Sequence, residues 1–292
     1  MKNTPFVLMT ICALMVACAP TKPPAKPSEP TDQNPKVSTP TQDKMLISNI
    51  ADDASEAQVR SVLGQHLSHD QVDLVMSWIK DYNQTIQKVS LTDGFSAKQP
   101  DYDTLAMDTL WADAKGDFID TNCRINTFAL LKDTIHISED PTKSDAQMFF
   151  PDHDAIEVGG LIDDTDLPKY NRLYGRVKTQ ATKDAKIHAE HMKSHFKGIK
   201  FDDQATMLSV VFHDDQDGEY LFIGHVGVLV PADDGYLFIE KLSFQDPYQA
   251  IKFTSKQDAY TYLLTKYATH YNQPTAQPFV MENDTLVKWV EE

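Results

Sequence analysis

Three residues of this chain have the types and the sequence settings that nucleophilic attack on a carbonyl requires. Cys123 lies where a helix is predicted to begin, His225 lies in an apolar run of β character, and Glu240 lies in the next such run. A thiol nucleophile needs a base that accepts its proton and a third group that fixes the tautomer of that base. The sequence therefore contains the residue types of a covalent hydrolase site.

Cys123 is the one cysteine expected in the folded domain, because the other two, Cys12 and Cys18, lie in or beside a predicted export signal. Asn122 is a residue type that caps helices, and residues 128–131 form an apolar helix face. Unpaired N–H groups and the helix dipole at a helix start favour a thiolate. A lone thiol in an exported protein is either such a nucleophile or a small buried hydrophobic residue, and both interpretations remain open.

Strand parity relates His225 to Glu240. If Val230 and Gly235 flank the turn between the two β-rich runs, His225 lies opposite Glu240. Any loop of even length keeps the two side chains on one face of the sheet. A bulge would move Glu240 to the other face, and Asp246 would then be the substitute that orients the histidine.

Two glycines, Gly224 and Gly227, lie close to His225 in the same run. Glycine lets another backbone approach closely, so we expect room for a substrate beside the histidine. The alternative for His225 is a packed and satisfied core residue. The sequence does not decide between a base and a core histidine.

The rest of the chain must position these side chains. Capping-box patterns begin at Ser55 and Ser68, and each precedes apolar residues of helical spacing. Further helices are predicted over residues 104–114, from Cys123 onward, over 166–196 and over 256–267, and strands over 207–212, 220–230 and 236–242. These elements predict one α+β domain over residues 45–292, with a helical front part and an antiparallel meander behind it.

The start of the chain has the pattern of an export signal. Residues 1–17 combine a positive start with an apolar run too short to span a bilayer, and residues 14–18 resemble a bacterial lipobox. In such signals cleavage precedes the cysteine, so Cys18 is the predicted lipidation site and residues 18–44 an acylated, Pro-rich, disordered tether. The alternative is an ordinary secretory signal with Cys18 free. Both place the protein outside the cytoplasm, and the lipobox places it on the cell membrane.

The net charge of the chain and the spacing of its histidines limit the kinds of ligand that it is expected to bind. The net charge of −16 makes nucleic acid an unsuitable ligand. His188, His191 and His195 have helical spacing that zinc ligation could use, but they lack the glutamate arrangement of a zinc protease motif, and lysines surround them. We interpret them as a solvated helix face and predict no metal and no cofactor. Residues 152–154 and 163–164 are interpreted as solvated acidic loops.

The sequence around Cys123 and His225 resembles a known class of enzymes. Asn122-Cys123-Arg124 leading into a helix, followed by Gly224-His225-Val226-Gly227 on a strand, is similar to the papain-like group and most similar to bacterial NlpC-type cell-wall peptidases. The full chain also resembles an uncharacterised family of bacterial surface lipoproteins that share the Asn-Cys-Arg and His-x-Gly-Val stretches. The resemblance implies a papain-like core and a cysteine peptidase or amidase, with cell-wall peptides as a substrate class.

The chain also departs from that class. Asp117 occupies the spacing of the glutamine that papain-like enzymes use in the oxyanion hole, and a carboxylate would repel the developing negative charge. We therefore expect the Cys123 N–H to contribute, with Asn122 or Arg124 as the side-chain donor; the alternative for Arg124 is a surface ion pair. The competing function is a noncatalytic surface lipoprotein that binds a ligand or partner, with Cys123 buried.

Overall fold

The structure is a computed structural model that describes residues 45–138 and 150–291. The predicted signal at residues 1–17, the lipidation site Cys18 and the tether at 18–44 lie outside these residues. Within the described part, no helix has both the length and the apolar character needed to cross a membrane.

The described residues form a mixed α+β fold built on one large antiparallel sheet. The helices are α1 (Asp53–Leu63), α2 (His69–Thr85), α3 (Thr104–Lys115), α4 (Cys123–Leu131), α5 (Phe150–Gly159), α6 (Leu167–Tyr174), α7 (Ala185–His195) and α8 (Lys256–Ala268). The strands are β1 (Met45–Ser48), β2 (Ile135–Ile137), β3 (Val177–Lys178), β4 (Ile199–Phe201), β5 (Thr206–Asp214), β6 (Tyr220–Ala232), β7 (Gly235–Lys241), β8 (Tyr248–Phe253), β9 (Phe279–Glu282) and β10 (Thr285–Lys288).

Strand order confirms the predicted meander and extends it on both sides. The main sheet runs β1-β8-β7-β6-β5-β9-β10, with β3 paired to β6, and β2 and β4 form a separate pair. The alternation of side chains along β6 and β7 produces two apolar layers. Val226, Val228 and Ile239 face the layer that contains α2 and α4, whereas Leu229 and Phe238 face the layer that contains α8.

Two helix predictions need correction. The N-cap of the first helix is Asp52, three residues before the predicted cap Ser55, because the Asp52 carboxylate accepts the N–H groups of Ala54 and Ser55. The predicted helix over residues 166–196 is two helices, α6 and α7, separated by a segment that includes β3. Pairing of β3 with β6 supplies backbone hydrogen bonds that compete with the helix.

One edge of β6 pairs with no described strand between the residues that pair with β3 and those that pair with β7, and the candidate nucleophile helix begins beside this gap. Strand β3 pairs with this edge at Tyr220 and Leu221, and β7 pairs with it only from Val228 to Ala232. Among the described strands, none pairs with the intervening residues on this edge. Arg124, in the first turn of α4, donates from Nη1 to the carbonyl oxygen of Ile223 at 3.1 Å, so α4 begins beside this gap.

The β6–β7 turn is shorter than the sequence suggested. Ala232 pairs with Gly235, so the turn has two residues where the prediction had four. Both lengths are even, and the side chains of His225 and Glu240 stay on one face of the sheet, although they are not directly opposite.

The glycines near His225 do not leave room for a substrate backbone. A Cβ atom on Gly224 would lie 2.4 Å from the ring of Phe212, and one on Gly227 would lie 2.4 Å from the ring of Phe238. Close packing inside the protein therefore explains both glycines, and the predicted role in substrate approach is wrong.

We expect Gly224→Ala to lower the free energy of unfolding by about 1–3 kcal/mol, because its methyl group would overlap the Phe212 ring. Phe212→Leu in the same chain should recover part of that loss. Gly227→Ala is the matched case: its Cβ would also lie 2.6 Å from the backbone oxygen of Ile239, so Phe238→Leu should not rescue it. Urea unfolding of the single and double variants measures both couplings, and equal rescue at the two positions would contradict this packing.

Candidate active site

The nucleophile candidate lies at the first residue of a capped helix, as predicted. The side-chain oxygen of Asn122 accepts the N–H of Ile125 at 3.0 Å, which fixes Asn122 as the N-cap and Cys123 as the first residue of α4. The N–H of Cys123 is one of the first helical N–H groups, which have no partner within the helix. The thiol itself is buried, with 5% of the residue exposed.

The structure brings His225 and Glu240 into direct contact. Nε2 of His225 forms a short hydrogen bond with Oε2 of Glu240, and both side chains are buried. Asp246, the substitute considered from sequence, instead accepts a hydrogen bond from the hydroxyl of Ser243 at 3.0 Å. Glu240 is thus the acid that contacts the histidine.

The thiol of Cys123 and the ring of His225 lie close enough for each group to shift the pKa of the other. Since Nε2 contacts Glu240, Nδ1 is the ring nitrogen left for the sulfur. Burial raises the pKa of the Cys123 thiol, but the neighbouring His225 and its charge outweigh burial, and the pKa falls below its ordinary value. Burial lowers the pKa of His225, but the charge of Glu240 and the neighbouring thiol of Cys123 raise it overall. Both shifts favour a thiolate–imidazolium pair.

Glu240 is held as an anion by groups from α8. Its Oε1 atom accepts the hydroxyl of Tyr262 at 2.6 Å and lies 3.4 Å from Nζ of Lys266. Burial raises the pKa of Glu240, but the charges of Lys266 and His225 lower it to about 2. The ring of Tyr267 stacks on that of His225 with centroids 4.9 Å apart. Helix α8 therefore fixes the acid and the plane of the imidazole.

On the other side of the thiol, the carboxylate of Asp152, which was predicted to lie in a solvated loop, is buried and accepts several hydrogen bonds. Asp152 of α5 is fully buried, and it accepts two hydrogen bonds from Arg124, at 2.6 and 2.7 Å, and one from Nδ2 of Asn122 at 2.7 Å. The hydroxyl of Tyr170 forms a further short bond to it. The solvated interpretation of Asp152 is wrong. A sequence signal existed, because Asp152 shares a helix face with buried Ala155 and Ile156.

These contacts bear on the donors expected for an oxyanion. The Asn122 amide donates to Asp152, and Arg124 donates to Asp152 and to the carbonyl of Ile223. The Arg124 side chain is only 13% exposed, so its ion pair is buried and is not the surface pair that was the alternative. Both side chains stabilise the start of α4, and these donor groups bind acceptors of the protein, Asp152 and Ile223.

A second buried ion pair lies on the opposite side of the sheet from Glu240. Lys241 Nζ lies 2.9 Å from Asp120 and 3.6 Å from the centroid of the Tyr82 ring. Asp120 is three residues before Cys123, and its φ of 75° is left-handed. Because Glu240 and Lys241 are adjacent and point to opposite faces, the two ion pairs fix this end of β7 from both sides.

The three histidines of α7 do not form a solvated face. His188 is fully buried, and its ring nitrogens contact the Thr179 hydroxyl and the Thr182 carbonyl, each at 2.8 Å. Its ring also packs 4.4 Å from that of His213. Across the described residues, no group of three or more histidine, cysteine or acidic side chains is arranged to hold a metal ion.

We expect Asp152→Asn to lower the free energy of unfolding by about 3–5 kcal/mol, because the buried Arg124 guanidinium would lose its counter-charge. Asp154→Asn is the control on the same helix, since Asp154 is exposed; it should change stability by less than about 0.5 kcal/mol. Chemical denaturation measures both. Similar values for the two variants would show that Asp152 does not stabilise this region.

The comparisons with known proteins agree with the coarse expectation from sequence. The profile of a family described as Domain of unknown function (DUF4300) matches residues 46–287, a segment that contains Cys123, His225, Glu240 and Asp152. No curated protein and no solved structure gives a significant match. Because the matched segment covers most of the sequence, the chain belongs to the DUF4300 family.

Proposed function

We propose that this protein is a membrane-anchored, extracytoplasmic cysteine peptidase or amidase of papain-like type that cleaves peptide-type bonds. The observation that supports the proposal is the buried series of Cys123, His225 and Glu240, in which His225 is hydrogen-bonded to Glu240 and lies near the thiol of Cys123. A nucleophile, a base and an acid that orients the base are the minimum set for this chemistry. Cys123 also lies at a helix start, where thiolates are favoured.

The proposed reaction has two stages. His225 accepts the proton of Cys123, the sulfur attacks the carbonyl carbon, and the electron pair of the C=O bond moves to oxygen. Collapse of this intermediate breaks the C–N bond, and the imidazolium of His225 gives its proton to the leaving amine. Water then attacks the thioester, His225 accepts a proton from the water, and the proton returns to the thiolate as the C–S bond breaks.

Glu240 has an electrostatic role in this scheme. An anion beside Nε2 fixes the neutral tautomer in which Nδ1 can accept the thiol proton, and it stabilises the imidazolium that then forms. Tyr262 and Lys266 keep the carboxylate ionised through a hydrogen bond and a nearby positive charge. The acid therefore orients the base and remains ionised throughout.

Location and substrate class rest on the sequence. A lipid on Cys18 and a Pro-rich tether over residues 18–44 would hold the domain near the outer face of the cell membrane. Peptides of the cell wall are the amide substrates available there and are the substrates of the enzymes that the motifs resemble. We therefore propose peptidoglycan-type peptides as the substrate class.

A noncatalytic surface lipoprotein is the second candidate. The observation that favours it is the burial of Cys123, since 5% exposure leaves little of the residue open to a substrate. In that case the thiol packs in the core and the domain acts by binding a ligand or partner. The reactivity of the folded protein separates the two candidates.

We expect Cys123→Ala to reduce amide cleavage to background, a loss of more than about 10³-fold, because the variant has no nucleophile. The measurement is release of new amino groups from purified peptidoglycan and from N-acylated peptides. Ser209→Ala, a change at a buried hydroxyl in β5 of the same sheet, serves as the control and should retain activity. Equal turnover by wild type and Cys123→Ala would disprove the proposed mechanism.

The pKa shifts predict the pH dependence of thiol reactivity. Because the pKa of Cys123 is lowered, iodoacetamide should alkylate the folded protein with a rate that reaches its plateau well below about pH 8.5. His225→Asn removes the neighbouring imidazole and the charge that lower this pKa, so the profile should move to higher pH. Mass spectrometry of the Cys123 peptide separates this thiol from the other two cysteines. Alkylation only after unfolding would support the noncatalytic alternative.

A further inference from the structure

Tyr174 has a buried hydroxyl that the described structure leaves without a partner. It is the last residue of α6, the residue is fully buried, and among the described residues its oxygen has no hydrogen-bond partner. Buried hydroxyl groups are normally satisfied because an unmade hydrogen bond costs free energy. The hydroxyl of Tyr174 is therefore free to donate to a further acceptor.

Neighbouring contacts place Tyr174 beside the start of α4. Tyr170, one helical turn earlier, packs edge-on against Tyr174 with ring centroids 5.0 Å apart, and its hydroxyl binds Asp152. Asp152 in turn binds Arg124, the residue after Cys123. Tyr174 also precedes Gly175 and the segment that leads into β3, which lies along the same edge of β6 as the gap beside α4.

The charges acting on Tyr174 agree with this position. Burial raises the pKa of its phenol well above the ordinary value, and among the charged neighbours Cys123 has the largest effect, ahead of Arg124 and Asp152. The hydroxyl therefore keeps its proton and can donate it to an acceptor near the sulfur. By contrast, the amide of Asn122 and the guanidinium of Arg124 already donate to Asp152.

We propose that the hydroxyl of Tyr174 is a catalytic oxyanion donor, which donates a hydrogen bond to the carbonyl oxygen of the substrate as Cys123 attacks. The N–H of Cys123 would be the second donor. The proposal deepens the proposed hydrolase function and rests on it. It assigns to tyrosine the task that the sequence analysis gave to Asn122 or Arg124.

An aldehyde probe tests this role without knowledge of the natural substrate. When N-acetylglycinal reacts with Cys123, an S–C bond forms, the C=O π bond breaks, and the aldehyde oxygen receives the proton from His225. The oxygen of this hemithioacetal occupies the position of the oxyanion. Alkylation by iodoacetamide displaces iodide from carbon and develops no negative charge at a carbonyl oxygen, so it reports the thiolate alone.

We expect Tyr174→Phe in the full chain to weaken aldehyde binding by about 100-fold, the effect of removing one oxyanion donor. Protection of Cys123 from iodoacetamide at increasing aldehyde concentration measures the Kd. The rate of alkylation without aldehyde should be unchanged. The midpoint of urea unfolding should be equal or higher, because the lost hydroxyl has no partner, whereas the control Tyr170→Phe loses its bond to Asp152 and should unfold at lower urea.

The outcomes separate this inference from the proposed function. If the wild type forms the adduct and Tyr174→Phe binds the aldehyde equally well, the oxyanion role is disproved and the hydrolase proposal survives. A fall in unfolding midpoint like that of Tyr170→Phe, with an unchanged Kd, would identify Tyr174 as structural only. If the wild type forms no adduct at Cys123, both proposals fail.

Discussion

The ion pair between Arg124 and Asp152 is the interaction on which the arrangement around the thiol depends. Asp152 belongs to α5, Arg124 to α4, and the bond from Arg124 to the carbonyl of Ile223 extends the contact to β6. Tyr170 adds α6 to the same carboxylate. One buried anion therefore joins three helices and the unpaired edge of β6, and that junction sets where α4 begins and where the sulfur of Cys123 lies.

The buried charged groups in this region occur as pairs of opposite sign. Desolvated charges destabilise a fold unless each has a close counter-charge, so the buried groups here occur as pairs. The pairs are Arg124 with Asp152, His225 with Glu240, and Lys241 with Asp120. Because His225, Arg124 and Asp152 act on the pKa of Cys123, two of the pairs that stabilise this part of the fold also set the electrostatic environment of the sulfur.

Local sequence signals predicted the parts of the site that depend on periodicity and capping. Asn122 is a cap residue at a helix start, and that signal placed Cys123 correctly in the first turn. The parity of β6 and β7 survives any turn of even length, so His225 and Glu240 were predicted on one face although the turn length was wrong. The papain-like identity of the core remains a proposal, since only the mixed α+β fold and the family are shown.

The rest of the site depends on contacts between distant segments, and local patterns do not specify which residues those contacts join. The helical spacing of Asp152, Ala155 and Ile156 indicates a buried face, but only the contact of α5 with α4 makes Asp152 the acceptor for Arg124. The same packing directs the Asn122 amide and the Arg124 guanidinium, which the sequence predicted as oxyanion donors, toward Asp152. A donor group is most available to a substrate where the fold has not already used it; the Tyr174 hydroxyl has no partner among the described residues, whereas Asn122 and Arg124 already donate to Asp152.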